Sequence, residues 1–470
     1  MLPHLCVETE TLPADAPQAA VNDCKIFRPV SQIKGMRAYL LMNQHGNGRS
    51  AAANEQTAVN LLTAAGLRVD AESFQPGQGQ GKKMVRAAAR SGNYDMLLMF
   101  GGDGTVNEGV RAVMEADSNV SLGVICGGTR NHVSRVLYGN HDSGHWWVNV
   151  LRLMQSTPTS VDVGTIEAHS VDLVGGETKS VPKALRKTVY FLLSASLGAE
   201  ATIVALAPQQ LKYLADRLIP GSGSLVLLET ALTHLQSLRP FAARISNENP
   251  SEGWTGKARA VTVANLNYPW CPGVKIDDGK LAATGVAGLR KLVKRESDQA
   301  VLSGEELFAT VPYGTHLEVD GSLIDLAGRI AKELGSIETI TYRYNTKKIS
   351  LLLPYTIAQP LLTNPVGAPP APADVAPLAS DTFFNSAHPI SATVEGTAWL
   401  GGSWWVIYAK AKGKPLAIRI TGKADVARSA PTSPKGLADL EQGSTIQLSG
   451  KSKPWGIKAR KVLICKQSRR

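Results

Sequence analysis

The chain has 470 residues, 43% of them hydrophobic, with a formal net charge of +11. That length permits two or three domains with proper cores, and no apolar run reaches the roughly 18 residues needed to span a bilayer. Five scattered cysteines without a CxxC pair argue against a disulfide framework or a zinc site and point to a reducing, cytoplasmic setting.

Residues 1–35 open on acids and prolines, which does not suit a secretory signal and reads as a loose tail. From residue 36 to about 160, short apolar runs alternate with helical stretches. "MRAYLLMN", "LRVDAESF", "DMLLMF" and "VSLGVI" read as strands; "SAAANEQTAVNLLTAAG", "KKMVRAAARSG" and "TVNEGVRAVMEA" read as helices. This alternation predicts a Rossmann-like α/β domain with a parallel sheet and helices on both faces.

Over 161–353 the texture becomes mainly β. "SVDVGTIEA", "TVYFLLSASLG", "ARAVTVANLN", "KLAATGV", "THLEVDGSLIDL" and "ETITYRYNTKKISLLLP" read as strands of a sandwich, with a helical insertion near 205–237. Residues 354–380 hold seven prolines among many alanines and read as an extended linker. Residues 381–470 read as a small β barrel. They carry fifteen Lys or Arg against five Asp or Glu, so nearly all the excess charge belongs to this module.

The most informative stretch is "LLMFGGDGTVNEGV", residues 97–110. A strand that ends in glycines and restarts as a helix presents unpaired backbone N–H groups above the sheet, where phosphate oxygens bind. Glycine lets an anion reach the backbone and tolerates unusual φ. Asp103 is the odd member, since a carboxylate beside polyphosphate needs Mg²⁺ between them. The plainer reading is a tight turn whose Asp caps the helix.

Here the sequence resembles the bacterial diacylglycerol-kinase-like lipid kinases, the group that includes sphingosine and ceramide kinases. "GGDGTVNEGV" is similar to their nucleotide loop and "LGVICGGTRNHVSRVLYG" to their second signature. "LLMNQHGNG" is similar to their first strand and turn, and "CPGVKIDDGKLAAT" to a stretch that holds a structural metal. The resemblance covers roughly residues 36–355 in the family's order. It implies ATP contacts at Asn47, Gly101, Gly102, Asp103, Gly104, Thr105, Val106, Asn107 and Thr129, with Asp103 engaging the nucleotide's Mg²⁺. It implies a second metal held by the Asp278 side chain and the backbone oxygens of Lys275 and Lys280. A hairpin turn of type I′ explains "KIDDGK" as well.

The chain departs from the pattern at Gln44, His45 and Cys126, and above all at Ser322. There the family's Asp-Gly-Glu would supply a glutamate as base for the lipid hydroxyl. A serine hydroxyl is too weakly basic for that. Three outcomes follow: Asp320 substitutes, Asp325 or Glu318 swings in, or the protein binds nucleotide without efficient transfer.

His132, His141 and His145 read as solvated or capping residues rather than metal ligands. In the basic module, Trp399, Trp404, Trp405, Tyr408 and Trp455 suit a small core, an anionic membrane surface, or stacked nucleic-acid bases. A lipid substrate favours the membrane among the two partners.

The resulting expectation is a cytoplasmic kinase, peripheral to the inner face of the membrane, using ATP and Mg²⁺ on a diacylglycerol-like or sphingoid lipid in phospholipid biosynthesis. The alternatives are a catalytically impaired nucleotide-binding relative acting in sensing or nucleic-acid binding, and a NAD kinase-like enzyme.

Overall fold

The computed structural model describes residues 25–26, 35–44, 51–64, 67–75, 79–128, 131–138, 146–153, 156–206, 239–248, 252–267, 271–288, 301–354, 390–401, 404–411, 414–420, 424–428, 437, 440, 443–453 and 456–465. Asn47, Thr129, His141, His145, Trp455, the prolines of the linker beyond Pro354 and the insertion beyond Leu206 lie outside them.

The N-terminal part runs β1 (Lys25–Ile26), β2 (Arg37–Asn43), α1 (Ala51–Ala64), β3 (Arg68–Phe74), α2 (Gln80–Ser91), β4 (Met96–Gly101), α3 (Asp103–Ala116), β5 (Ser121–Cys126), α4 (His132–Tyr138) and α5 (Trp146–Leu153). Strands β3, β2, β4 and β5 lie side by side and parallel. β4 and β5 are buried at every position, as strands covered on both faces must be, which is why they read as unbroken apolar runs. α3 buries Val106, Val110 and Val113, spaced as one face of a helix. Because β2 sits between β3 and β4, the sheet order reverses between β2 and β4. In such sheets the crevice beyond the strands' C-terminal ends is where ligands bind.

The middle part runs β6 (Ser156–Leu173), β7 (Thr178–Ser180), β8 (Val189–Phe191), β9 (Ser194–Gly198), α6 (Ala199–Leu206), β10 (Phe241–Asn247), β11 (Trp254–Ala258), β12 (Ala260–Ala264), β13 (Leu281–Val286), β14 (Leu302–Gly304), β15 (Leu307–Pro312), β16 (Leu317–Val319), β17 (Ser322–Ile324), α7 (Gly328–Leu334) and β18 (Ile337–Pro354). A six-stranded sheet, β14-β13-β12-β9-β16-β17, packs on the β10, β15, β18 and β6 region through a core that includes Ile166, Phe191, Leu197, Val261, Val263, Leu281, Tyr342 and Tyr344. The long strands β6 and β18 pair along their whole length, and Leu351 of β18 pairs in parallel with Leu122 of β5. One eleven-stranded sheet thus runs from the α/β part into the sandwich, crossing the boundary expected near residue 160.

The last part runs β19 (Ile390–Gly401), β20 (Trp404–Ala411), β21 (Lys414–Ile420), β22 (Asp425–Arg428), β23 (Thr445–Lys453) and β24 (Gly456–Ile464). β19, β20, β21, β24 and β23 form a closed ring, since β23 pairs both β24 and β19. Among the described residues its core is aliphatic, with Val394, Ile407, Ile418, Ile420, Ile446, Leu448, Val462 and Ile464. β1, from the segment expected as a tail, adds to the edge of β19. No helix among the described residues is long and apolar enough to cross a membrane.

Candidate active site

Two glycine pairs meet at the C-terminal ends of β4 and β5. Gly127 N donates to Gly101 O at 2.8 Å. A Cβ on Gly128 would overlap the Gly102 Cα, and one on Gly101 would overlap the Thr105 side chain. A Cβ on Gly127 would lie 2.9 Å from the Phe100 ring. Gly128 is therefore required because one backbone crosses another there, a reason local sequence does not reveal, whereas Gly101 and Gly127 make room for the side chains of Thr105 and Phe100.

Gly102, in extended backbone, is the N-cap of α3 and makes no side-chain capping bond. The first helical N–H with an intrahelical acceptor is that of Val106, which donates to Gly102 O at 3.1 Å. The N–H groups just before it have no such acceptor, as at any helix start, and the helix dipole favours negative charge there. At the reversal point of the sheet, this is a fitting place for an anion.

Asp103 does cap a helix, but a different one. Its Oδ2 accepts from His132 N at 3.1 Å and its Oδ1 from Val133 N at 3.0 Å, at the start of α4. Asn131, just before α4, ties back to Gly128. With φ at +49° and almost no exposure, it accepts from Gly128 N at 2.8 Å and donates to Gly128 O at 2.6 Å. The two sequence motifs are thus one structure, clamped by Asp103 and Asn131. Asn43, at the end of β2, donates to Thr105 Oγ1 at 3.0 Å. Asn131 and Asn43 escaped the sequence reading, although both stand inside the quoted motifs.

Two residues expected at the nucleotide have partners within the fold. Val106 places its side chain in the core and spends its N–H within the helix. Asn107 is buried and points toward the sandwich, donating to Tyr190 O at 2.9 Å and Asp320 Oδ2 at 3.0 Å.

Asp320 and Gly321, both with positive φ (47° and 85°), make the two-residue turn between β16 and β17, the backbone a type I′ hairpin requires. The Asp320 carboxylate, 2% exposed, accepts four N–H groups. Oδ2 takes Leu192 N at 2.7 Å and Asn107, while Oδ1 takes Leu193 N and Ser194 N at 2.9 Å each. The stretch expected as one strand is therefore two, β8 and β9, with their junction held by this carboxylate. Burial pushes the acid up to about 6, against the pull of its N–H donors.

Ser322 lies just beyond, and its Oγ is 3.4 Å from where a Cβ on Gly104 would stand. It faces the mouth of the glycine loop from the sandwich side. Of the other acids, Asp325 is exposed and caps the start of α7 through Ala327 N and Gly328 N. Glu318 is buried on β16. Glu108 packs α3 against α2 beside Gly81, and burial raises its pKa.

The turn with Lys275, Asp278 and Lys280 is not type I′, because only Gly279 there has positive φ. Asp278 Oδ1 accepts from Lys280 N at 2.9 Å. Behind the turn, the Lys348 ammonium lies 2.7 Å from Oδ1 of fully buried Asp162 and donates to Asp277 O at 3.1 Å. Asp162 Oδ2 accepts from Gly279 N at 2.9 Å. Among the described residues no three His, Cys, Asp or Glu side chains gather as a metal site. The Asp278 side chain lies on the turn in front of Asp162, whose charge is already met by the Lys348 ammonium.

The diacylglycerol kinase catalytic domain family matches residues 37–166. A candidate lipid kinase of Streptococcus pneumoniae serotype 4 is 47% identical over 49 residues, 10% of this chain and 17% of that protein. The "Probable lipid kinase YegS" of Escherichia fergusonii is 24% identical over 244 residues, 50% of this chain and 70% of its own length. The chain thus spans under a fifth of the first relative. A solved structure from Bacillus anthracis str. Sterne, described as a candidate diacylglycerol kinase, superposes with a TM-score of 0.50 over 69% of this chain and 99% of that one, at 18% identity. That likeness concerns the fold.

Proposed function

We infer that the chain is a lipid kinase that transfers the γ-phosphate of ATP to a hydroxyl of a diacylglycerol-like or sphingoid lipid, a reading supported by the match of residues 37–166 to the diacylglycerol kinase catalytic domain family. The observation that carries this reading is the uncapped start of α3 at the reversal point of the sheet, opposite Ser322. In the transfer, a bond forms between the acceptor oxygen and the γ-phosphorus while the bond to the departing ADP breaks, and the hydroxyl's proton passes to a phosphoryl oxygen and on to water. The N–H groups of Gly104 and Thr105 would hold phosphate oxygens, and Asn43 fixes Thr105 from the next strand. Asp103 is the residue to hold magnesium, each oxygen keeping a lone pair beyond its single N–H bond. The chemistry magnesium supplies when bound is neutralisation of the charge that spreads over the phosphoryl oxygens.

Ser322 meets the acceptor side of this mouth with a hydroxyl that can orient a substrate oxygen but is a very weak base. Phosphoryl transfer draws its acceleration chiefly from positioning and electrostatics, so a serine there is compatible with activity. Asp320 acts as a positioning residue, joining α3 to the β8–β9 junction through Asn107. The test is transfer of label from γ-labelled ATP to a panel of bacterial lipid extracts, with Asp103→Ala as control. Labelled lipid with the wild type alone supports the reading. ATP binding without labelled lipid would instead identify a nucleotide-binding relative that has lost transfer.

A further inference from the structure

An amide on α3 bridges the crevice to the sandwich. Asn107 stands one helical turn after Asp103, on the same side of the helix. It is 2% exposed, and both protons of its amide are spent outside the α/β part. One goes to Tyr190 O at 2.9 Å and the other to Asp320 Oδ2 at 3.0 Å. A hydrogen bond to a buried charged group is among the strong ones. Asp320 in turn holds Leu192 N, Leu193 N and Ser194 N, and its turn leads directly to Ser322, which faces Gly104. The first turns of α3 therefore meet the acceptor side at Gly104 and again at Asn107.

The start of this helix is where nucleotide would make a difference. Gly102 gives α3 no side-chain cap, and an uncapped first turn is less stable than a capped one. Phosphate oxygens offer acceptors to its N–H groups only when that turn is formed. Bound phosphate thus favours the ordered turn over the frayed one, the differential affinity that any coupling requires. Asn107 follows directly, so ordering the turn holds its amide in place for Asp320. On the other flank the two parts share a sheet. Leu351 pairs with Leu122, and Ser121 Oγ lies 2.8 Å from Ser350 Oγ. With that flank fixed, order gained at α3 passes to the hairpin instead of being lost as sliding between the parts.

We propose that Asn107 couples the two substrate sites: phosphate bound at the start of α3 orders the Asp320 turn and the β8–β9 junction, and so tightens the hold on the acceptor. The proposal rests on the kinase reading above. Linkage makes the effect reciprocal, so the acceptor tightens the hold on nucleotide by the same factor. Coupling of this kind needs no large movement, because ordering one site lowers the entropy left to lose at the other. Asn107 is a positioning residue, since it acts through Asp320 and Tyr190 O. A purely structural bond would instead hold the junction equally well with the nucleotide site empty or filled.

The test is hydrogen–deuterium exchange on the full chain, with and without Mg²⁺ and a non-hydrolysable ATP analogue. In the wild type the analogue should slow exchange at residues 102–105. It should also slow the amides of Leu192, Leu193 and Ser194 by about fivefold or more, the low end of coupling between sites. In Asn107→Leu the slowing at 102–105 should remain and that at the junction should vanish. Asn107→Ser removes the same two bonds with a smaller side chain and serves where the leucine variant does not fold. Slowing at 102–105 alone in the wild type overturns the coupling and leaves the phosphate site standing. Slowing at the junction that survives loss of the Asn107 amide overturns it as well. Slowing at neither place overturns the kinase reading, and the coupling with it.

Discussion

Replacing Asp320 with asparagine tests whether this carboxylate is a structural latch. Its two oxygens each accept two N–H groups. An amide keeps one oxygen and turns an NH2 group toward the other two donors, leaving both without an acceptor. At about 2 kcal/mol for each orphaned buried donor, the loss is about 4 kcal/mol. Against this, the neutral amide avoids burying a charge. The shift of the acid from 3.8 to about 6 corresponds to about 3 kcal/mol at 1.36 kcal/mol per unit. The net loss at pH 7.5 is then about 1 kcal/mol. The sign of the pH dependence follows from linkage: between the unfolded and folded pKa values the folded wild type holds more protons, so its stability falls as pH rises through about 6. On acidification to pH 4.5 the wild type regains about 2 kcal/mol that the variant does not. Urea unfolding followed by circular dichroism should show the gap widening from about 1 to about 3 kcal/mol. A gap that stays constant or narrows on acidification would refute the latch.

Gly128→Ala forces a Cβ into the Gly102 backbone and should cost about 2–3 kcal/mol by thermal or urea unfolding. Gly104→Ala meets only Ser322 Oγ at 3.4 Å, so it should unfold like the wild type in the same experiment. Lys348→Met strands the charge of fully buried Asp162. Because Lys348 is itself half exposed, the expected loss is about 2 kcal/mol by the same unfolding experiment, below the usual range for a broken buried pair.

The layout of the α/β part was legible because parallel strands buried on both faces are continuous apolar runs, and α3 repeats its valines at helical spacing. The sandwich and barrel were legible as β structure but not in their order. The parallel pairing of β21 with β24 and the return of β18 to β5 join segments far apart in sequence. The same distance hid the latch: Asn107 and Asp320 are 213 residues apart, so nothing near Asn107 shows that its amide serves the sandwich rather than a nucleotide. The glycine loops were found through their motif, but the reason for the glycines became visible only where the two loops cross. The Lys348–Asp162 pair had no sequence signal, since either residue alone reads as an ordinary charge on a strand.

The start of α3 is proposed to grip the phosphates of ATP. Hydrogen–deuterium exchange with and without Mg·ATP tests it directly. Slowed exchange at the amides of residues 102–105, weakened in Asp103→Ala, is the predicted result. Unchanged exchange at that turn, with nucleotide bound elsewhere or not at all, would contradict it.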